Sequence, residues 1–446
     1  MTFPFQIQTP PEHTAVLPDR VDVVVIGGGI IGVMTAWELA KAGSSVVVLE
    51  KGRIGAEQSS RNWGWIRNQG RDPSEIPIMQ EAAAMWRQMA KDIPEDIGLR
   101  QTGVCYLASA SQGVGRFEDW VPFAKDHGLD SQVLSAKQTA DLFPDAAIKW
   151  AGALWTASDM KAEPWVALPA IARAAVRDGV TIIEGCAVRG LDISGGAVTG
   201  VNTEKGRIEC AETVLAGGAW SQLLLRRHGL TIPQLAVRAT VAATAPLPDV
   251  FQGGAVDDRL AFRRRADGGY TLAPEGFHEL YIGPDAFRAL AGYTKPLLKD
   301  PLGTKLLPAA PRGYPDAWGT PRKWDMDSVS PFERMRILNP LANRAKVAKL
   351  ARDFAATFPK LGEVQIKTAW AGMIDTMPDV VPIVDRAPVD GLTVVTGMCG
   401  HGFGIGPAFG RIAARIVRSD DVGYDMHRFR YGRFTDGSKL MLGPNL

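Results

Sequence analysis

The chain has 446 residues, enough for about two domains with sizeable cores. Hydrophobic residues make up 46% and charged residues 22%, as in globular domains. A net charge of +2 is nearly balanced and implies no polyanionic partner, so no nucleic-acid partner is expected.

Residues 1–20 carry Pro10, Pro11, Glu12, Pro18 and Asp19 without an apolar core, unlike a secretory signal. An apolar run from Val21 then enters a glycine turn at Gly27, Gly28 and Gly29. A helix is predicted over 30–42, followed by a second apolar strand ending in Glu50. Strand, glycine turn, helix, strand and acid in this order suit the pyrophosphate and ribose of a dinucleotide. Gly27 lets the chain turn out of the strand. Gly29 lets backbone approach a diphosphate, and Gly32 lets the helix pack on the sheet. Ile30 and Ile31 open the helix, whose N-terminus favours phosphate. Glu50 would accept from ribose hydroxyls, with Lys51 beside it.

A polar, glycine-rich loop follows over 51–67. Helices are predicted over 74–91, 117–127 and 135–142, the last capped by Ser135. Strands are predicted over 103–108, 180–184, 197–203 and 207–210, with a helix over 163–178. A strand from Glu212 runs into the turn at Gly217 and Gly218. Residues 231–275 read as strand-rich, 296–331 as a long loop and 346–358 as a helix. A strand over 391–397 leads into the glycine-rich segment 400–406, and a helix is predicted from Pro407 to 419. The basic, aromatic tail reads as a packed terminus.

Four widely spaced cysteines, Cys105, Cys186, Cys210 and Cys399, form no CxxC pair. Reduced thiols and a cytoplasmic location are expected, with no disulfide framework and no metal site. No uncharged apolar run reaches about 18 residues, so no membrane span is expected.

Four blocks together resemble the flavin-dependent D-amino acid oxidase superfamily, especially its glycine, sarcosine and γ-glutamylputrescine oxidase-like branch. They are 27–50, 55–64, 213–221, and 370–385 continued through 397–406. The resemblance implies an α/β (α+β) fold: a Rossmann-like FAD-binding domain and an antiparallel-sheet substrate domain. The FAD domain would be discontinuous, over 20–95, 160–225 and 365–420. The substrate domain would occupy 96–159 and 226–364, with a tail over 421–446.

The same resemblance places Ser59, Ser60, Arg61 and Asn62 at the pyrophosphate and flavin, and Val188 at the adenine. It places Gly217 and Trp220 near the cofactor. Gly400, His401, Gly402, Phe403, Gly404 and Ile405 would bring N–H groups to the flavin pyrimidine. Covalent members carry a cysteine where this chain has Gly372, or a histidine in the second block, where it has Arg61, Asn62 and Trp63. FAD is therefore expected to be non-covalent. Sarcosine oxidase-like members have an oxygen-promoting lysine where Thr271 aligns and a carboxylate-binding lysine where Gly404 aligns. The acceptor is thus left open between oxygen and another carrier.

The implied reaction is oxidation of the C–N bond of an amine or amino acid by hydride transfer to flavin N5, followed by imine hydrolysis. Alternatives are a flavin-dependent 2-hydroxy-acid dehydrogenase and a non-catalytic FAD-binding subunit. Arg67 either forks onto a substrate carboxylate or makes a flavin or structural ion pair. Tyr270 either closes the substrate pocket or packs at the core edge. His401 either contacts the cofactor or holds its loop. Arg263, Arg264 and Arg265 form a solvated run or turn one member inward. Trp63, Trp65, Trp370 and Phe403 line an amine pocket or pack.

Overall fold

A computed structural model describes residues 3–276, 278–300 and 303–443. The first apolar run forms the strand Val23–Ile26, inside a six-stranded sheet. The strand order is Ile383–Arg386, Leu392–Thr396, Glu212–Leu215, Val23–Ile26, Val46–Glu50 and Thr181–Glu184. Neighbours are parallel except Ile383–Arg386, which runs antiparallel. A parallel sheet of this kind needs cover on both faces. Val23 and Val25 face the helices Ile30–Lys41, Ile76–Asp92, Pro164–Arg177 and Gly402–Arg418. Val24 and Ile26, alternate along the strand, face a three-stranded antiparallel sheet containing Val188, Leu191, Val201 and Ile208.

The second large sheet has ten strands and is mostly antiparallel. At its centre Leu235–Thr244 pairs with Tyr270–Pro274 and His278–Tyr281, and along its length with Ile366–Thr376. The helix Arg344–Thr357 covers one face, burying Leu350 and Phe354 against Phe262, Tyr270 and Leu272. Ile366–Thr376 therefore pairs with this sheet, although the sequence placed 365–420 in the FAD domain. The chain then crosses to the first sheet at Ile383.

Two elements differ from expectation. The last helix starts at Gly402, not at Pro407. Its glycines serve close packing: a Cβ at Gly410 would stand 2.5 Å from Met34 Cβ and 2.8 Å from the Thr35 nitrogen. A Cβ at Gly404 would stand 3.2 Å from Ile66 Cα. The helix Pro284–Lys299 extends into the segment read as loop. Gly292 and Pro296 inside it act as breakers in a sequence reading, while the helix survives in context. Among the described residues no helix is long and apolar enough to cross a membrane.

Candidate functional site

The glycine turn, the segment 50–71, the turn after Glu212–Leu215, the end of Tyr270–Pro274 and the start of the last helix meet around one long cavity of about 280 Å³. Two helix N-termini open into it, those of Ile30–Lys41 and Gly402–Arg418. Each presents first-turn N–H groups that no helical carbonyl can satisfy.

At the first end the turn is shaped by glycine. Gly27 has φ 111°, and a Cβ on it would stand 2.4 Å from the Ala216 carbonyl oxygen. Gly32 does not line the cavity; a Cβ there would meet the Gly27 carbonyl oxygen at 2.0 Å, so its part is tight packing. Ser59 Oγ accepts from the Ile30 N–H at 3.0 Å, joining the second sequence block to the first. Glu50 accepts from Gly28 N–H at 2.8 Å through one oxygen and from Gly52 N–H at 2.7 Å through the other. Each oxygen keeps a second lone pair for a hydroxyl. Burial raises the Glu50 pKa, while Lys51 and these N–H donors oppose the rise.

Lys51 lines the cavity, but its ammonium is spent on Glu57 at 2.8 Å and on the carbonyls of Met335 and Arg336. Trp220 lies under that ammonium and donates its indole N–H to Glu57. Ile30, Ile31, Val188, Gly217 and Asn62 also reach the cavity wall. Asn62 is locked by donating to the Ser59 carbonyl and accepting from Gly64 N–H.

Arg61 reaches the cavity and also braces its wall. It lines the cavity, yet its guanidinium donates to the carbonyls of Ala56 and Ala371 and to Asn339. Burial lowers its pKa to about 10. These bonds brace loop to sheet, while Nη2, buried and without a hydrogen-bond partner among the described residues, stays open to a group in the cavity. Ser60 is fully buried away from the cavity and donates to the Glu57 carbonyl.

At the other end Gly400, His401, Gly402, Phe403 and Gly404 form the wall. Ile405 instead points into the helical core, one position too far along the turn. Trp86 holds this turn by donating to the Gly404 carbonyl at 2.8 Å, with its ring 5.1 Å from that of Phe403. His401 Nδ1 lies 4.0 Å from a Glu75 carboxylate oxygen, too far for a hydrogen bond. Burial, with Arg67 and Arg71 nearby, puts its pKa well below the ordinary value, so the imidazole is neutral.

Arg67 lines the cavity, donates to the Gln69 carbonyl and lies over the Tyr106 ring. No carboxylate forms an ion pair with it among the described residues. Arg71 is buried beside it and donates to the carbonyls of Arg67 and His401. Trp63, Trp65, Ala239, Val241 and Ala273 give this end apolar walls.

Tyr270 is not on the cavity. Strand alternation turns Ala273 toward the cavity and Tyr270 toward Phe262 and Phe354. Its hydroxyl accepts from Val250 N–H at 2.9 Å. Arg263 does turn inward, but onto Glu163, with both nitrogens within 3.0 Å. Trp370 packs with Trp165 and Phe3 instead of lining the cavity.

The sequence reading left out Gln58, Asp375, Glu275 and His278, all on the cavity wall. Asp375 lies inside the fourth block, a signal that was available. It accepts from Gly397 N–H at 2.7 Å and from Thr396 and Gln234. Glu275 precedes a glycine at a strand end and reads simply as a turn.

Residues 22–416 match the family described as FAD dependent oxidoreductase, DAO. The chain is 25% identical over 437 residues to sarcosine oxidase subunit beta of Rhizobium meliloti (strain 1021), covering 95% of this chain and 92% of that one. It is 24% identical over 426 residues to glycine oxidase of Geobacillus kaustophilus (strain HTA426), covering 93% and 97%. The solved structure of L-amino acid deaminase from Proteus myxofaciens in complex with anthranilate has a TM-score of 0.90 and 30% identity, covering 95% of this chain and 96% of that one.

The residues present fit FAD. A Cβ at Gly29 would press to 3.1 Å from Ser59 Oγ, so the bare backbone beside the helix N-terminus is what a diphosphate requires. Glu50 has lone pairs free for a ribose diol. The second helix N-terminus, far along the same cavity, suits a ring that gains negative charge on reduction.

Proposed function

The chain belongs to the DAO family of FAD-dependent oxidoreductases, and from that premise we propose that it oxidises the Cα–N bond of an L-α-amino acid with an apolar or aromatic side chain. The observation that carries this reading is Arg67: a guanidinium without a carboxylate partner, set in an apolar cavity wall at the second helix N-terminus. A carboxylate is what a guanidinium fork matches best. The walls of Trp63, Trp65, Val241 and Phe403 would take the side chain and exclude water. Similarity to the L-amino acid deaminase supports the substrate class, and anthranilate, bound there, also carries a carboxylate and an amine.

Gly29, Ile30, Ile31, Glu50, Val188, Ser59, Asn62, Gly217 and 400–404 would hold FAD. When bound, FAD supplies the acceptor for a hydride from the α-carbon. The protein binds the carboxylate through Arg67, aligns the α-carbon and keeps the site dry. The resulting imine hydrolyses in water to a 2-oxo acid and ammonia.

FAD is held without a covalent bond. Cys399 lines the cavity, but its buried thiol donates to the Gly397 carbonyl and its pKa is pushed up, which keeps it un-ionised and unreactive. Denaturation is expected to release all of the yellow colour. Four free, buried cysteines support a cytoplasmic setting. Thr271, in place of a lysine, supports a carrier other than oxygen as acceptor.

Steady-state assays with L- and D-amino acids, using oxygen or an artificial dye, test these assignments. Turnover of L-amino acids with dye and little peroxide is expected. Arg67→Gln should raise KM by about tenfold to a hundredfold, the loss of a charge-assisted hydrogen-bond pair. An unchanged KM would remove Arg67 from the substrate site. Turnover of 2-hydroxy acids alone would replace the amine reading.

A further inference from the structure

Four carboxylates line the cavity among the described residues: Glu50, Glu57, Asp375 and Glu275. The first three are tied down. Glu50 accepts from two backbone N–H groups, Glu57 from Lys51 and Trp220, and Asp375 from Gly397, Thr396 and Gln234. Glu275 has no donor within hydrogen-bond distance among the described residues; only the longer-range charges of Arg67 and Asp257 act on it.

An unpaired carboxylate in an apolar wall is costly unless a cation meets it. Arg67 shares this end of the cavity but forms no ion pair with it. Two opposite charges therefore face one space without touching, an arrangement that a zwitterion between them would satisfy.

We propose that Glu275 receives the ammonium group of the amino acid whose carboxylate Arg67 holds, and accepts a proton from it before oxidation. This inference rests on the amino-acid reading of the site. In the step, one ammonium N–H bond breaks and its electron pair stays on nitrogen. An O–H bond forms on the Glu275 carboxylate, so cation and anion become neutral amine and neutral acid. The free lone pair is what α-hydride loss then requires, because it becomes the C=N bond.

The surroundings suit the task. Burial raises Glu275 to about 7, with Arg67 opposing and Asp257 adding to the rise. That makes it a far better base than an ordinary carboxylate at about 4. The other titratable and charged groups at this end are Arg71, His278 and His401 on the wall, and Tyr106 behind it, which interacts electrostatically with Glu275. Burial keeps both imidazoles neutral and poor at competing for the proton. Tyr106 is held up at about 12 and stays protonated.

The test is anaerobic stopped-flow reduction of the FAD-loaded enzyme and of Glu275→Gln by a saturating L-amino acid, from about pH 6 to about pH 10. In the wild type the reduction rate should fall below about pH 7. In Glu275→Gln that limb should move toward the free amine's pKa of about 9, and the rate near pH 7 should drop about a hundredfold. Glu275→Asp should recover part of the rate. Binding of benzoate, a carboxylate without an amine, should be unchanged in Glu275→Gln and weakened in Arg67→Gln.

A Glu275→Gln enzyme with the wild-type rate and pH limb would overturn the inference. So would loss of FAD from that variant, since it would make Glu275 a cofactor ligand. If no amino acid reduces the wild type, the functional reading itself has failed, and the two failures are distinguishable.

Discussion

Single residues carry the clearest physical consequences. His228 is half-buried and accepts from Leu191 N–H through Nε2 at 2.9 Å. Burial, helped by Arg227, lowers its pKa to about 4. The unfolded value is about 6.5, so on acidification the unfolded chain takes the proton first. Stability from this group is therefore intact above about pH 6.5 and declines as pH falls toward about 4. His228→Gln keeps an acceptor but cannot titrate. Urea unfolding across that window should show a shallower pH slope in the variant; an identical slope would mean His228 is not buried neutral. At this scale the sequence revealed residues with a fixed spacing role, such as Gly27, Gly29 and Glu50. It misplaced Tyr270, Ser60 and Ile405, because which face a side chain takes depends on strand register and helix phase. It did not show that Arg61 also braces the wall, because the carbonyls of Ala56 and Ala371 are brought close only by the fold.

Among elements, the packing of the last helix against the first is the decisive contact for the site, since both present their N-termini to the cavity. Gly410 sits where they touch. Alanine at a helix interior gains about 1 kcal/mol over glycine in propensity. At Gly410 the new Cβ would lie 2.8 Å from a backbone nitrogen, which cannot swing away, so overpacking of about 1–3 kcal/mol outweighs the gain. Gly115, inside the helix Ser111–Asp126, has nothing within 4 Å of such a Cβ. Gly410→Ala should therefore lower Tm and Gly115→Ala should raise it; the same sign for both would refute the contact argument. Most elements were legible: the helix Ala136–Leu142 is capped by Ser135 as expected, and Gln138 completes a capping box. Glycine-rich 400–406 was not, because propensity alone cannot see that a neighbouring helix demands small residues.

For the whole molecule, the question is how two sheets are held about one cavity. Ile366–Thr376 belongs to the large sheet, and the following strands return to the small one. The tail fastens this crossing. Arg433 grips Asp379 with two nitrogens, at 2.9 and 3.1 Å, and the carboxylate is fully buried. Arg433→Ala would leave that charge with Arg428 and the Val381 N–H, each at 3.4 Å, among the described residues, and should cost about 3–5 kcal/mol in urea unfolding. Less than about 1 kcal/mol would show that the crossing does not depend on the tail. The six-stranded sheet draws its strands from distant segments of the chain, and the spread of the four sequence blocks pointed to that. The pairing partner of Ile366–Thr376 was not, since it lies more than a hundred residues away along the chain.

A cavity that holds FAD and passes to it electrons from an α-amino acid has a direct optical signature. Anaerobic mixing of the purified, yellow protein with apolar and aromatic L-amino acids tests it most directly. The visible flavin band should bleach and the matching 2-oxo acid should form. A flavin that a chemical reductant bleaches but no amino acid does would contradict it.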